Sequence, residues 1–352
     1  MEQLDVAVVG GGQSGLAAAY ALRRHGLAPV VLEASDRPAG SWPRYYDSLT
    51  LFSPARYSAL PGLDFPGDPD RHPHRDEVAA YLERYAAGLD AEVRTGSRVR
   101  EVSAAGTGFR VALDDGRELA ARAVVGASGS FGRPFRPALP GLESFTGTVL
   151  HAGDYRRPEL YAGGRVVVVG AGNSAVQIGA ELARHATVTL ASRRPVRYAR
   201  QRILGRDLHF WLGVTGLDTA PLGRFVTVPP TQMVIDDGRY RAAVATGAPD
   251  RRPLFTGLDG DKVIWADGTA ESVDTLVLAT GYRPDLGYLA PLGVLGPAGG
   301  PRHRGGVAPA RPGLGFVGLE WQRSLSSNSL RGVGRDADRV AGRLARQLGR
   351  SD

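Results

Sequence analysis

The 352-residue chain contains no cysteine. That excludes disulfide scaffolds, thiolate metal sites and redox chemistry through a Cys-x-x-Cys pair. Lysine is almost as scarce: Lys262 is the only one among 43 basic residues, so the formal charge of +7 rests on arginine. The arginines are interleaved with acids, no basic run reaches five residues, and no zinc-finger or aromatic–basic RNA-binding signature is present. Nucleic acid is therefore not an expected partner. No apolar run approaches the ~18 residues that span a bilayer, so no membrane span is expected. No basic stretch followed by an apolar core precedes the first glycine motif, which leaves a cytoplasmic protein as the expectation. His72 and His74 flank Pro73 without a third ligand, the pattern of a loop, and no metal site is expected.

What is present is an internal echo. Leu4 to Val9 is a β-rich run leading into Gly10-Gly11-Gly12-Gln13-Ser14-Gly15, and the alanine- and leucine-rich stretch Leu16 to Leu22 reads as a helix. The pattern returns as Arg165 to Val169, Gly170-Ala171-Gly172-Asn173-Ser174-Ala175, a helix over Val176 to Ala183 and a strand over Thr187 to Leu190. Strand, glycine turn, helix and strand in that order imply a parallel sheet. The first glycine permits the tight turn, the second lets backbone N–H groups reach a pyrophosphate, and the third, or an alanine, lets helix and strand approach. The phosphate then sits at the helix N-terminus. One such turn would be weak evidence in a chain with 48 glycines, but two in the same context point to two dinucleotides.

The residues after the second strand of each unit separate the two ligands. Val30-Val31-Leu32 ends at Glu33, a carboxylate placed for ribose hydroxyls, which marks an FAD or NAD site. Val188-Thr189-Leu190 instead runs into Ala191-Ser192-Arg193-Arg194, where a hydroxyl and two guanidiniums suit a 2′-phosphate. Between the units, short β-like segments (98–102, 109–113 and 118–125) predict an inserted β-meander. Asp76 to Ala87 and Asp336 to Leu348 read as amphipathic helices, the latter packing back on the first domain, and 129–141 and 281–315 read as connections.

These residues resemble class B flavoprotein monooxygenases, the flavin-containing and YUCCA-like enzymes and their small bacterial relatives. The glycine turns come in the family's order. Phe145, Gly147, His151 and Tyr155 match its fingerprint F-x-G-x-x-x-H-x-x-x-Y, and Tyr155-Arg156 follows the flavin-containing rather than the Baeyer–Villiger form. Gly40-Ser41-Trp42 matches a segment beside the flavin, and Ala279-Thr280-Gly281-Tyr282 looks like the second linker, with Ala127-Ser128-Gly129 as its counterpart.

The resemblance implies an α/β fold of two Rossmann-like domains, with an NADPH domain (160–275) inserted in a discontinuous FAD domain (1–155 and 276–352) that carries the meander. It implies an FAD site on Gly10, Gly12, Gln13, Ser14, Gly15, Glu33, Gly40, Ser41, Trp42, Val99, Ala127, Ser128, Gly129, Gly318 and Leu319. It implies an NADPH site on Gly170, Gly172, Asn173, Ser174, Ser192, Arg193, Arg194, Ala279, Thr280 and Gly281, and makes His151 a hinge residue. Hydride would pass from NADPH to FAD, and a flavin hydroperoxide formed with O2 would oxygenate a small molecule at nitrogen, sulfur or carbon. Relatives often carry an asparagine beside the reactive flavin carbon; with only Asn173 and Asn328 in this chain, Ser53, Asn328 and Tyr282 are the catalytic candidates. Two alternatives stay open, a reductase that passes electrons to a quinone or other acceptor and a non-catalytic nucleotide sensor, as does a homodimer. Phe210 and Trp211 are candidates for lining a pocket or packing a helix.

Overall fold

The structure, a computed structural model, describes residues 1–226 and 233–349. β1 (Glu2–Val9), α1 (Gln13–Arg24) and β2 (Pro29–Leu32) form the first unit, with the alanine face of α1 buried on the strands. After α2 (Arg75–Ala87) come β3 (Glu92–Arg94) and the meander β4 (Val99–Ala105), β5 (Gly108–Leu113) and β6 (Glu118–Gly126). Strands β3, β2, β1 and β6 lie side by side in parallel, and β5 pairs antiparallel with the first part of β6. His74, one of the two loop histidines, caps α2: its ring accepts the Asp76 N–H while Glu77 accepts the N–H of His74.

The second sheet begins after the two-residue β7 (Arg133–Pro134). It contains β8 (Thr148–His151), β9 (Arg165–Val169), then α3 (Asn173–Leu182) and β10 (Thr187–Ser192). An excursion follows, with β11 (Tyr198–Arg200), the hairpin β12 (Arg202–Ile203) and β13 (Arg206–Asp207), α4 (Leu208–Val214), β14 (Val234–Asp236) and α5 (Arg239–Ala245). β15 (Asp250–Pro253), the three-stranded antiparallel β16 (Gly257–Asp259), β17 (Lys262–Ile264) and β18 (Ala270–Ser272), and β19 (Thr275–Leu278) complete it. The order β15-β10-β9-β19-β8 is parallel throughout. β19 hydrogen-bonds to β8 on one side and β9 on the other, so all three lie in the second sheet.

The chain returns through β20 (Tyr282–Arg283), which pairs with β7, to β21 (Leu314–Phe316), which pairs with Val124–Gly126 of β6. It closes with α6 (Leu330–Leu348), whose Val340, Ala341, Leu344 and Leu348 join one core with α1 and α2. Burying a side chain such as Leu344 is worth ~1.5–3 kcal/mol. This helix starts six residues before the sequence expectation, because Gly332 and Gly334 read as helix breakers. Packing demands them: a Cβ at Gly332 would stand 2.2 Å from Ser326 Oγ and one at Gly334 2.2 Å from Pro61 Cγ. Among the described residues, no helix is long and apolar enough to cross a membrane.

Candidate dinucleotide sites and the domain junction

The first glycine turn leaves the carboxyl end of β1. Gly10 has a φ of +108°, and a Cβ there would stand 2.8 Å from the carbonyl oxygen of Ala127. At Gly15 a Cβ would stand 1.7 Å from the Gly10 carbonyl oxygen, so the helix lies directly on the turn. Gly12 is the N-cap of α1, no side chain caps it, and the first turn carries no acid. Its N–H groups thus present an unfilled positive end suited to a phosphate.

Glu33 is buried at the end of β2 and serves the turn as well as any ribose. Gly11 N–H donates to Oε2 at 2.5 Å, and the N–H and hydroxyl of Ser35 donate to Oε1 at 2.7 Å each. Oε2 retains a lone pair for a ribose hydroxyl. Gly40 lies against Gly12, with 2.8 Å from its would-be Cβ to Gly12 Cα, and Trp42 Nε1–H donates to Gln13 Oε1 at 3.1 Å. Ser41 and Tyr45 share a hydroxyl hydrogen bond of 3.0 Å. Val99 packs on the meander side of the sheet, two residues after Ser97, whose N–H donates to Glu33 O at 2.7 Å.

The return segment crosses the same helix end. A Cβ at Gly318 (φ +89°) would meet Ser14 Oγ at 1.9 Å, the Gly318 carbonyl accepts from Ser130 Oγ, and Leu319 is buried beside it. Gln13 Nε2 donates to the carbonyl of Asn328 at 2.7 Å, which brings Asn328 to the first turn. The catalytic candidates now separate. Ser53 is buried in its own loop, sharing a 2.9 Å hydrogen bond with Ser58, so its hydroxyl is committed. The amide of Asn328 and the hydroxyl of Tyr282 make no hydrogen bond among the described residues.

The second turn repeats the first. Gly170 has a φ of +151°, and its Cβ would stand 2.4 Å from the carbonyl of Ala279, which occupies the place Ala127 holds beside Gly10. Gly172 is likewise an N-cap without a side-chain cap, and α3 has no acid in its first turn. Arg193 and Arg194 are exposed and form no ion pair among the described residues. Two of the expected contact residues also bond within the chain: the amide of Asn173 bonds Met233 O and Ile235 N–H, both at 3.3 Å, and Ser192 Oγ donates to Arg194 O at 2.8 Å. Ser174 stands beside them on the first turn of α3.

Between the turns runs the fingerprint. A Cβ at Gly147 would stand 2.7 Å from both Asp274 O and the Phe145 ring. His151 is fully buried at the end of β8. Its Nδ1 accepts from Gly153 N–H at 3.0 Å and its Nε2 faces Gly281 O at 3.0 Å, an assignment that makes the ring neutral with the proton on Nε2. Burial lowers its pKa, against the opposing effect of that hydrogen bond. Gly281 O also accepts from Phe135 N–H, and Thr280 Oγ1 donates to Phe135 O, so the two crossing strands are tied to each other and His151 braces the second of them. Tyr155 donates to Glu181 Oε2 at 2.8 Å. Tyr282 stands edge-on to His151 at 4.8 Å, and burial pushes its phenol up to about 12, so it is a neutral donor.

Residues 201–226 form a strap from the second domain across the first. Gln201 Nε2 donates to Phe52 O at 3.0 Å, and buried His209, bonded to Asp207 at 2.7 Å, stacks 6.1 Å from both Phe52 and Tyr57. Asp218 pairs with Arg331 at 3.0 Å, and Gly223 N–H donates to Arg323 O. Phe210 and Trp211 pack on each other, and Trp211 Nε1–H donates to Ile203 O, so they serve the hairpin. Among the described residues no group of three or more His, Cys, Asp or Glu could hold a metal.

Comparison with known proteins agrees with this geometry. Residues 7–211 match the family described as pyridine nucleotide-disulphide oxidoreductase. A flavin-containing monooxygenase from Stenotrophomonas maltophilia superposes with a TM-score of 0.87 at 33% identity, covering 100% of both chains. The indole-3-pyruvate monooxygenase YUCCA1 of Oryza sativa subsp. japonica is 34% identical over 79% of this chain and 77% of its own. An uncharacterized oxidoreductase, CzcO-like, from Geobacillus kaustophilus is 32% identical over 95% and 96% respectively.

Proposed function

The chain belongs to the pyridine nucleotide-disulphide oxidoreductase family and is a flavin monooxygenase that uses FAD and NADPH; from that premise we propose that the first glycine turn holds FAD, the second NADPH, and the space at their junction a small organic molecule oxygenated at nitrogen or sulfur. The observation that carries the assignment of sites is the repeated geometry. Each turn presents an uncapped helix N-terminus, and each is walled by the end of a neighbouring strand, Ala127 in one case and Ala279 in the other. The absence of any carboxylate in the first helical turns supports binding of the pyrophosphates there. The cofactors supply hydride transfer and oxygen activation when bound.

The chain's own residues bind, orient and exclude water. Glu33 takes ribose hydroxyls while bracing Gly11, and Arg193 and Arg194 take the 2′-phosphate. Asn328, held to the first turn through its carbonyl, offers its free amide toward the flavin, and Tyr282 holds a phenolic proton at the junction. The strap and its His209 clasp keep bulk water from the junction. The boundaries we propose for the FAD domain are 1–126 and 314–349, the ranges that build the first sheet and its covering helices.

The test is NADPH oxidation in 18O2 with a panel of small amines and thioethers. One labelled oxygen in product per NADPH is expected for at least one class. Stoichiometric peroxide with every amine and thioether would overturn the substrate class. For Asn328→Ala, peroxide is expected to rise severalfold at unchanged FAD content; an unchanged product yield would remove Asn328 from the site.

A further inference from the structure

Away from the glycine turns, guanidinium groups gather at the carboxyl end of α6. Arg339, Arg343 and Arg346 lie along its outer face, and Arg304 comes from the neighbouring loop. A Cβ built on Gly305 would have Arg343 Nη1 at 3.3 Å and Arg339 Nε at 3.5 Å, so two guanidiniums close on one point. Arg343 is fixed there by donating to Arg304 O at 2.7 Å. A hollow of about 280 Å³ beside them is lined by Val307, Arg343, Arg346 and Gln347.

Among the described residues none of these four arginines has an ion pair, whereas Arg94, Arg165, Arg323 and Arg331 all do. Asp338, the exposed acid on the same helix, faces His25 of α1 instead. Like charges at i and i+4, as Arg339 and Arg343 are, cost ~0.2–0.5 kcal/mol. Burial, then the neighbouring Arg339, Arg346 and Arg304, push the pKa of Arg343 below its usual value. The helix dipole accounts for Arg346 in the last turn, but not for Arg304 or Arg339. Asn328, just before the start of α6, meets Gln13, and Leu348 O at its far end accepts from Arg122 midway along β6, so much of the helix separates the cluster from the first turn.

We propose that this cluster binds a multivalent phosphate anion, a di- or triphosphate group, at a site separate from both dinucleotide turns. Converging guanidiniums match phosphate oxygens in charge and geometry.

The experiment is calorimetric titration of the FAD-loaded protein with tripolyphosphate, in an Arg193→Ala/Arg194→Ala background that removes the competing 2′-phosphate contacts. One saturable site is expected. Affinity should fall at least about tenfold in Arg339→Gln/Arg343→Gln and in the more exposed pair Arg304→Gln/Arg346→Gln, with flavin absorbance unchanged as the check on folding. Equal affinity in all three proteins, or heats reproduced by sulfate at matched ionic strength, would overturn the proposal. So would binding to anionic phospholipid vesicles without binding to tripolyphosphate.

Discussion

The two glycine turns repeat each other in backbone and in the strand end that walls them, yet differ at the third small residue. In the first, Gly15 has no room for a Cβ because the Gly10 carbonyl stands 1.7 Å away. In the second, Ala175 occupies the same place with its Cβ present, and the close approach of helix to sheet moves one turn on, to Gly179 against Leu190. The turns differ again at the next strand, where the first ends in a buried Glu33 bonded to Gly11 and Ser35 and the second in two arginines without an ion pair among the described residues. The lesson is that the first site is rigid and braced by a carboxylate, while the second leaves its charge free for a ligand.

The largest break in that comparison is expected from Gly15→Ala. Forcing a Cβ onto a backbone oxygen costs about 1–3 kcal/mol or more, and FAD retained on purification, read as the ratio of flavin to protein absorbance, should fall roughly tenfold or more. The converse change, Ala175→Gly, should cost about 1 kcal/mol of thermal stability and leave NADPH affinity intact. Similar flavin loss in both would show that the turns do not differ as described.

Next in size is Arg193→Ala/Arg194→Ala. Losing charge-assisted contacts to a 2′-phosphate should raise KM for NADPH about 10- to 100-fold and leave NADH unaffected. Equal losses for the two cofactors would move the phosphate elsewhere.

The smallest effect concerns the junction between the turns. Because burial lowers the His151 pKa, the unfolded chain takes up its proton first as the pH drops. The stabilisation is fully present above the unfolded value near 6.5 and is lost as pH falls through the folded value, with a slope of at most about 1.4 kcal/mol per pH unit. His303, also lowered by burial, contributes with the same sign. Urea unfolding of His151→Gln should therefore show a shallower, but not flat, acid limb than the parent; identical limbs would mean that His151 is not held neutral.

Both glycine turns, the meander and the helices α1 and α3 are legible because each is set by local chemistry: β-branched runs, glycine spacing and alanine-rich faces. The start of α6 is hidden because Gly332 and Gly334 obey a packing demand from Ser326 and Pro61, which no local pattern reveals. Ser53 reads as a free hydroxyl until its loop folds it onto Ser58. The bonds that the Asn173 amide makes to Met233 and Ile235 have no local signal either.

By itself the sequence determined the two glycine turns, each between a strand and a helix, and that no thiol of this chain takes part, since residue spacing and residue chemistry suffice for that. Tertiary structure alone decided that β8 and β19 share one sheet, that His151 braces the second crossing at Gly281, that a strap from one domain spans the other, and that Arg304 joins three arginines of α6. Those outcomes depend on contacts between residues far apart in the chain, where burial and close approach, rather than local propensity, choose the partner.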